Sequence, residues 1–204
     1  MVVPLCVAVG ILVGAMTITG TGANFSAGLA DLANNNIYLL LLFAAVASFI
    51  MGMGMASIAC YLITVTMLAP AIEGSGVEPI AVHFFLFYYC ALSFITPPVA
   101  VGAFVASGIS GGNPNTTGMY SLRMGIAGFL VPWIFVIYPE LLFVGPLYKT
   151  ALIFVMALAG LAAVSGGWQG YLFVPLSIPE RVLCLLLGFL IFIPLPDIIQ
   201  ICVS

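Results

Sequence analysis

Apolar runs take up so much of this chain that its charged side chains, three basic and six acidic among 204 residues, are left to the links between runs and to their ends. A soluble domain carries roughly a quarter charged residues. At 4% charged and 64% hydrophobic, this chain cannot cover a surface in water. Lipid is therefore the solvent for most of it, and a soluble globular protein is excluded. Three basic residues also exclude a nucleic-acid footprint. In hydrocarbon every backbone N–H and C=O must find an internal partner. The expected fold is all-α, a polytopic integral membrane protein with about five transmembrane helices, one re-entrant helical hairpin and one Pro-broken helix.

The opening Met1-Val2-Val3-Pro4-Leu5 lacks the basic stretch of a signal peptide and reads as a mature membrane segment. Cys6, Cys60, Cys90, Cys184 and Cys202 are odd in number, distant in sequence and set in apolar runs. They suggest neither a disulfide framework nor a metal cluster.

Run length divides the chain. Residues 4–20 make a first crossing that ends in the polar stretch Thr17 to Asn24, and a loop with Asp31 and Asn34-Asn35-Asn36 follows. Residues 37–51 and 56–72 are two apolar arms around Gly52-Met53-Gly54-Met55. At 1.5 Å per residue the first arm reaches only roughly 22 Å, short of a ~30 Å hydrocarbon core, which suggests a re-entrant hairpin. After Glu73 to Pro79, residues 80–110 are too long for one straight span and are cut by Thr96-Pro97-Pro98. Residues 111–121 read as a plain loop, and 122–144, 148–165 and 182–201 as three further crossings, the last two separated by a link from Gly166 to Arg181. The resulting divisions are 1–36, a helix and polar loop; 37–110, the hairpin (37–72) and discontinuous helix (80–110); 111–145, one helix; and 146–204, C-terminal scaffold helices. Counting sides puts Arg123 and Arg181 on one face and Asp31, Glu73, Glu78, Glu140, Lys149 and Asp197 on the other, and the positive-inside rule makes the Arg face cytoplasmic.

The strongest local signal for chemistry is Ile95-Thr96-Pro97-Pro98-Val99-Ala100 in mid-run. Each proline lacks an N–H and displaces the carbonyl four residues earlier, so this pair frees the carbonyls of Ser93 and Phe94. Those oxygens need a partner in lipid. A cation is one, with the Thr96 hydroxyl beside it, because unwound backbone in broken helices supplies oxygen ligands to monovalent cations. Ser93, Phe94, Thr96 and Pro97 are the candidate cation-binding positions, with Pro97 and Pro98 as the helix break. A kink patched by neighbouring helices and water is the plainer reading. The second signal is the tip Gly52-Met53-Gly54-Met55-Ala56-Ser57, where glycines let backbone approach a ligand and a helix starting near Ser57 offers free N–H groups to an anion. Ser57, Tyr61 and Thr64 then share one helical stripe. Gly52, Gly54, Ser57, Tyr61 and Thr64 are the candidate substrate positions, with small-residue helix packing as the plainer reading.

Transporters pair such elements so that substrate and coupling ion meet near the bilayer midplane. An enzyme would need an intramembrane nucleophile, acid or metal set, and no carboxylate lies well inside a run. The tip also lacks the Asp of an intramembrane aspartyl protease. No catalytic residue and no cofactor is assigned. His83, the single histidine, fits an interfacial residue, with a proton relay or the base of a membrane acyltransferase as the other readings. Arg123 opens its crossing and reads as snorkelling to the headgroups, with a helix break or a substrate counter-charge as the other reading. Trp168, Tyr171, Tyr138 and Tyr148 fit an aromatic belt.

Several of these residues carry a family resemblance. Gly52-Met53-Gly54 through Tyr61, Gly76-Val77-Glu78-Pro79, Phe87-Tyr88-Tyr89, Ile95 to Ala100 and Ala106-Ser107-Gly108-Ile109 resemble the fused membrane permease of tripartite ATP-independent periplasmic (TRAP) transporters of the TAXI type. Leu122 to Pro132 and Pro175 to Arg181 continue the similarity. The resemblance implies a multi-pass inner-membrane importer of small organic anions, usually carboxylates, driven by sodium, supplied by a periplasmic binding protein and moved by an elevator-like domain. It places Gly52 and Gly54 at the hairpin tip, and Thr96, Pro97 and Pro98 at a broken-helix loop near a sodium site. Family members usually read Gly-Met-Gly-x-Pro-Thr-Thr at the tip; here Ala56 replaces the Pro and Ile58 the second hydroxyl residue, while Ser57 keeps one. Fused permeases of this type are longer and hold two inverted halves, so the chain is expected to be a C-terminal portion whose N-terminal half comes from the same or a separate chain. No Arg or Lys stands at midplane depth to recognise an anion, which leaves that work to helix N-termini. A membrane enzyme using His83 and an inactive scaffold remnant are the alternatives.

Overall fold

The computed structural model describes residues 2–34, 36–172 and 174–192. Asn35, Asp197, Cys202, the side chain of Cys6 and the part of the expected last crossing beyond residue 192 lie outside what it describes. Among the described residues the regular structure is helical, apart from an isolated bridge between Tyr171 and Pro175. The chain forms two compact units, Met1–Pro132 and Trp133–Ser204.

The first unit opens with α1 (Val2–Thr19) and α2 (Thr21–Leu32), which meet at a 68° bend. Gly20 makes the bend in the left-handed region, φ 66°, where only glycine sits without strain. The expected loop from the polar stretch to Asp31 is thus a helix. At the end of α1 the hydroxyls turn back on their own helix, Thr17 Oγ1 donating to Gly14 O at 2.8 Å and Thr19 Oγ1 to Ala15 O at 2.8 Å. Gly22 then lets α2 close on the next arm but one; a Cβ there would stand 3.0 Å from Thr66 O.

Asn36 caps α3 (Ile37–Gly52), accepting from Tyr38 N at 3.0 Å and Leu39 N at 3.3 Å. After a short turn comes α4 (Ser57–Gly74), and Pro79 at the first helical position starts α5 (Pro79–Leu92). The two arms therefore lie where run length placed them, within two residues. α3, α4 and α5 pack on one another around Leu41, Leu68, Ile72, Val82, Phe85 and Leu86, all less than 2% exposed. Lipid tails are as apolar as these side chains, so close packing rather than transfer out of water holds the three helices together. The expected break follows α5: a single 3₁₀ turn (Ser93–Ile95), a cis Pro97–Pro98 bond, and α6 (Val101–Ser110).

Residues 111–121 are not a plain loop. Asn113 Oδ1 accepts from Asn115 N at 3.0 Å and Thr116 N at 3.4 Å, Pro114 takes the first helical position, and α7 (Pro114–Gly125) begins there. An Asn-Pro pair is a helix start whatever the polarity of the residues after it. The expected crossing at 122–144 moves upstream accordingly: the apolar helical stretch is Pro114–Ile137, continued through a 3₁₀ turn by α8 (Val131–Ile137). Arg123 consequently stands in the last turn of α7, well inside that stretch, and not at its entrance.

The second unit holds α9 (Leu147–Gln169) and α10 (Ile178–Phe192), packed face to face. Gly188 makes the approach possible, since a Cβ there would meet Val164 Cγ2 at 2.5 Å and Gly160 O at 3.1 Å. Arg181 caps the end of α9 through Nε to Gly167 O (3.2 Å) and Nη2 to Trp168 O (3.1 Å). At the head of α10 the Ser177 hydroxyl, together with Ser177 N donating to Glu180 Oε2 at 2.7 Å, holds that carboxyl below its usual range. By length and composition three helices of the described residues can cross a membrane, Ser57–Gly74, Pro114–Ile137 and Leu147–Gln169, or four if the bent pair α1–α2 counts as one. Shorter apolar helices at Ile37–Gly52, Pro79–Ile95 and Val101–Ser110 accompany them.

Candidate functional site

The two signals singled out in the sequence meet in space. Ser48 and Gly52 lie one turn apart on α3 and face the end of α5. Gly52 touches Ser93 so closely that a Cβ would come within 2.9 Å of Ser93 Cβ and 3.1 Å of Cys90 O, and closer still to Ser93 Oγ. The hairpin tip is thereby seated on the residue that begins the break. Gly54 does a different job. It turns the chain at φ 86° with open space around it.

At the break, Pro97 and Pro98 have no N–H to return to the carbonyls of Ser93 and Phe94. Ser93 O instead takes a long bond from Thr96 N at 3.5 Å. Ser93 and Thr96 are 2% and 1% exposed, and each hydroxyl spends its hydrogen on its own helix: Ser93 Oγ on Cys90 O at 2.7 Å, Thr96 Oγ1 on Leu92 O at 3.0 Å. Their lone pairs remain as acceptors. One helical turn before Gly52, the Ser48 hydroxyl is fully buried and has no hydrogen-bond partner among the described residues. A buried hydroxyl without a partner costs about 1–3 kcal/mol, so it marks a place that a ligand or water would improve. The oxygens at the break and the Ser48 hydroxyl are all neutral, a donor type that suits a hard monovalent cation; no cluster of three or more His, Cys, Asp or Glu suited to a heavier metal occurs among the described residues. Ser48 was missed in the sequence. Its position four residues before Gly52 was the available clue, since i and i+4 share a helix face.

The stripe of Ser57, Tyr61 and Thr64 divides between surroundings. Ser57 sits at the tip, half-buried. Thr64 is fully buried and donates back to Cys60 O at 2.9 Å, with Cys90 Sγ 3.4 Å from its hydroxyl. Tyr61 leaves this cluster for α5, where its hydroxyl pairs with His83 Nδ1 at 2.8 Å and its ring stands edge-on to Phe87 at 5.6 Å. His83 Nε2 lies 3.7 Å from Glu73 Oε1. Tyr61, His83, Phe84 and Phe87 line an open groove of about 210 Å³. His83 is thus tied between two residues of α4.

The two departures from the family tip read differently in the fold. Ala56 adopts φ −62° and ψ 134° just before α4, close to the φ of about −65° that a proline ring imposes, so the backbone keeps the shape the proline would give. Ala56→Pro is accordingly expected to raise stability by about 0.4–1 kcal/mol, chiefly by restricting the unfolded chain, and a thermal-unfolding comparison in detergent checks it. A loss of stability would show that the Ala56 N–H is needed. Ile58 is exposed, and nothing among the described contacts explains it.

A family profile described as "Tripartite ATP-independent periplasmic transporter, DctM component" matches residues 1–152, a stretch that contains the tip, the break and every candidate residue above. No curated protein and no solved structure matches the chain.

Proposed function

Because the chain belongs to the tripartite ATP-independent periplasmic transporter family, as its DctM component, a multi-pass membrane permease and not an enzyme, we propose that it carries the cation- and substrate-engaging elements of a sodium-coupled symporter. Permeases of this family work with a substrate-binding protein and a small permease component. In our reading this one is of the TAXI type, resides in the bacterial inner membrane and imports small organic anions, carboxylates foremost, by an elevator-like movement.

The observation that carries the reading is the contact of Gly52 with Ser93. It joins a hairpin tip to a broken helix, the pairing by which discontinuous segments bring substrate and ion together. Neutral oxygens from Ser48, Ser93, Phe94 and Thr96 would hold sodium, which supplies charge compensation for an entering anion. The N-terminus of α4, opened by Ser57, offers its first N–H groups to a carboxylate. Seating Gly52 on Ser93 shuts the tip, so ion and anion would enter together when α3 lifts from the break.

Sodium binding can be read without knowing the substrate. A ligand at 100 times its Kd stabilises the folded state by about 2.7 kcal/mol. Sodium, compared with choline at equal ionic strength, is therefore expected to raise the thermal midpoint of the purified chain. Thr96→Ala should lose that rise, whereas His83→Ala should keep it. Uptake of a panel of labelled mono- and dicarboxylates in vesicles holding the permease with its binding protein should follow the same order. A sodium-dependent rise that survives Thr96→Ala and vanishes in His83→Ala would move the ion from the break to the α4–α5 groove.

A further inference from the structure

Cys60 and Cys90, thirty residues apart in the chain, face each other across α4 and α5 with their sulfurs 2.9 Å apart. Both are free thiols, 0% and 1% exposed. The Ser48 carbonyl lies within reach of both, 3.6 Å from Cys60 Sγ and 4.0 Å from Cys90 Sγ, and the Thr64 hydroxyl is 3.4 Å from the latter. The pair therefore sits beneath the tip. Cys60 is one turn into α4 from Ser57, and Cys90 one turn before Ser93.

We infer that Cys60 and Cys90 are an oxidisable dithiol, a modification site whose closure ties the second hairpin arm to the helix that leads into the break. Buried thiols are ordinarily inert because the reagent cannot reach them and the thiolate is disfavoured. Here each thiol already has the other as its neighbour, so one encounter with a small uncharged oxidant suffices. An azodicarboxamide meets that description. One thiol adds across its N=N bond, forming S–N and leaving its hydrogen on the second nitrogen. The other sulfur then attacks the first, S–S forms as S–N breaks, and its hydrogen goes to the departing nitrogen. The products are one disulfide and one hydrazine; the thiols lose two electrons and the azo group gains them.

The Ser48 carbonyl of α3 lies against both sulfurs, one turn before Gly52.

The experiment treats membranes containing the full chain with diamide, removes it, unfolds the protein in detergent and counts free thiols with a maleimide polymer that adds one mass step each. The chain has five cysteines. Treated wild type is expected to lose two labels and to regain both after dithiothreitol, and a peptide digest should contain the 60 and 90 segments joined. Cys60→Ser, Cys60→Ala and Cys90→Ser should each lose none. Diamide applied to the unfolded chain serves as the measure of reagent activity. Wild type that keeps all five labels while the unfolded chain loses some would overturn the inference, as would a loss shared by Cys60→Ser or a digest that joins Cys184 instead. Thiol counting needs no transport, so the outcome is independent of the sodium reading.

Discussion

Gly52→Ala is expected to lower uptake more than tenfold, while Gly54→Ala keeps most of it. The two glycines stand two residues apart at one tip, yet they are glycines for different reasons. At Gly52 a methyl group has nowhere to go: Ser93 Cβ would be 2.9 Å away and the Cys90 carbonyl 3.1 Å away. Ser93 cannot swing aside without giving up its 2.7 Å bond to Cys90 O. Forcing a methyl into such a contact costs about 1–3 kcal/mol, and the cost is felt in the seated form, where α3 meets the break. At Gly54 the surroundings are open and only the positive φ opposes a side chain, at about 1–2 kcal/mol. That strain accompanies the turn wherever it sits, so it lowers stability without favouring a lifted tip. The discriminating measurement is a double-mutant cycle. Ser93→Gly should cost stability in the wild-type background and recover some of it in Gly52→Ala, giving a coupling of at least about 1 kcal/mol, as touching residues do. Additive losses, or equal uptake in the two glycine variants, would detach the tip from the break.

The elements that the sequence made legible were those set by run length and by residues that cannot be misread. Proline has no N–H in any context, so the break after α5 could be located from Pro97 and Pro98 alone. The two arms could be placed because Gly52 to Met55 separates apolar runs with nothing charged inside them. Where the structure departs from expectation, polarity had stood in for disorder. Thr17 and Thr19 do close the first helix, as expected, but the polar stretch after Gly20, which looked like a loop, folds as α2. The stretch after Gly111 looked like a loop, although Asn113-Pro114 starts a helix regardless of how polar the next residues are.

The site was legible as two separate signals and not as one. Nothing in the chain states that Gly52 rests on Ser93, because the contact depends on how α3 and α5 are packed. Ser48 and the Cys60–Cys90 pair were invisible for the same reason. A small polar residue in an apolar run has no periodic signature of its own; it becomes informative only when its helix face is known. Tyr61 is the converse case. It belongs to the predicted stripe by spacing, yet its hydroxyl turns to His83 and away from Thr64, since four residues on a helix fix the face of a Cβ but not the direction of a long side chain.

The break itself provides the second large effect. Replacing both Pro97 and Pro98 by alanine returns two N–H groups to the segment, and both are aimed by helical geometry at the carbonyls of Ser93 and Phe94. If those oxygens serve the cation, healing the helix takes them away from it. Half-saturating sodium should then rise by tenfold or more, equivalent to about 1.4 kcal/mol of lost binding, and the sodium-dependent rise in thermal midpoint should shrink with it. Stability without sodium is expected to hold or improve, because two carbonyls gain donors worth about 0.5–1.5 kcal/mol each. That opposite movement separates a lost ion site from a misfolded chain, in which both quantities would fall together. Thr96→Val supplies the complementary case. It keeps the break, removes one hydroxyl, and leaves the Leu92 carbonyl without its 3.0 Å partner; sodium affinity and sodium-free stability should both decline. Unchanged sodium dependence in the double alanine chain would mean that the prolines only kink the helix, with neighbouring groups and water satisfying the freed carbonyls.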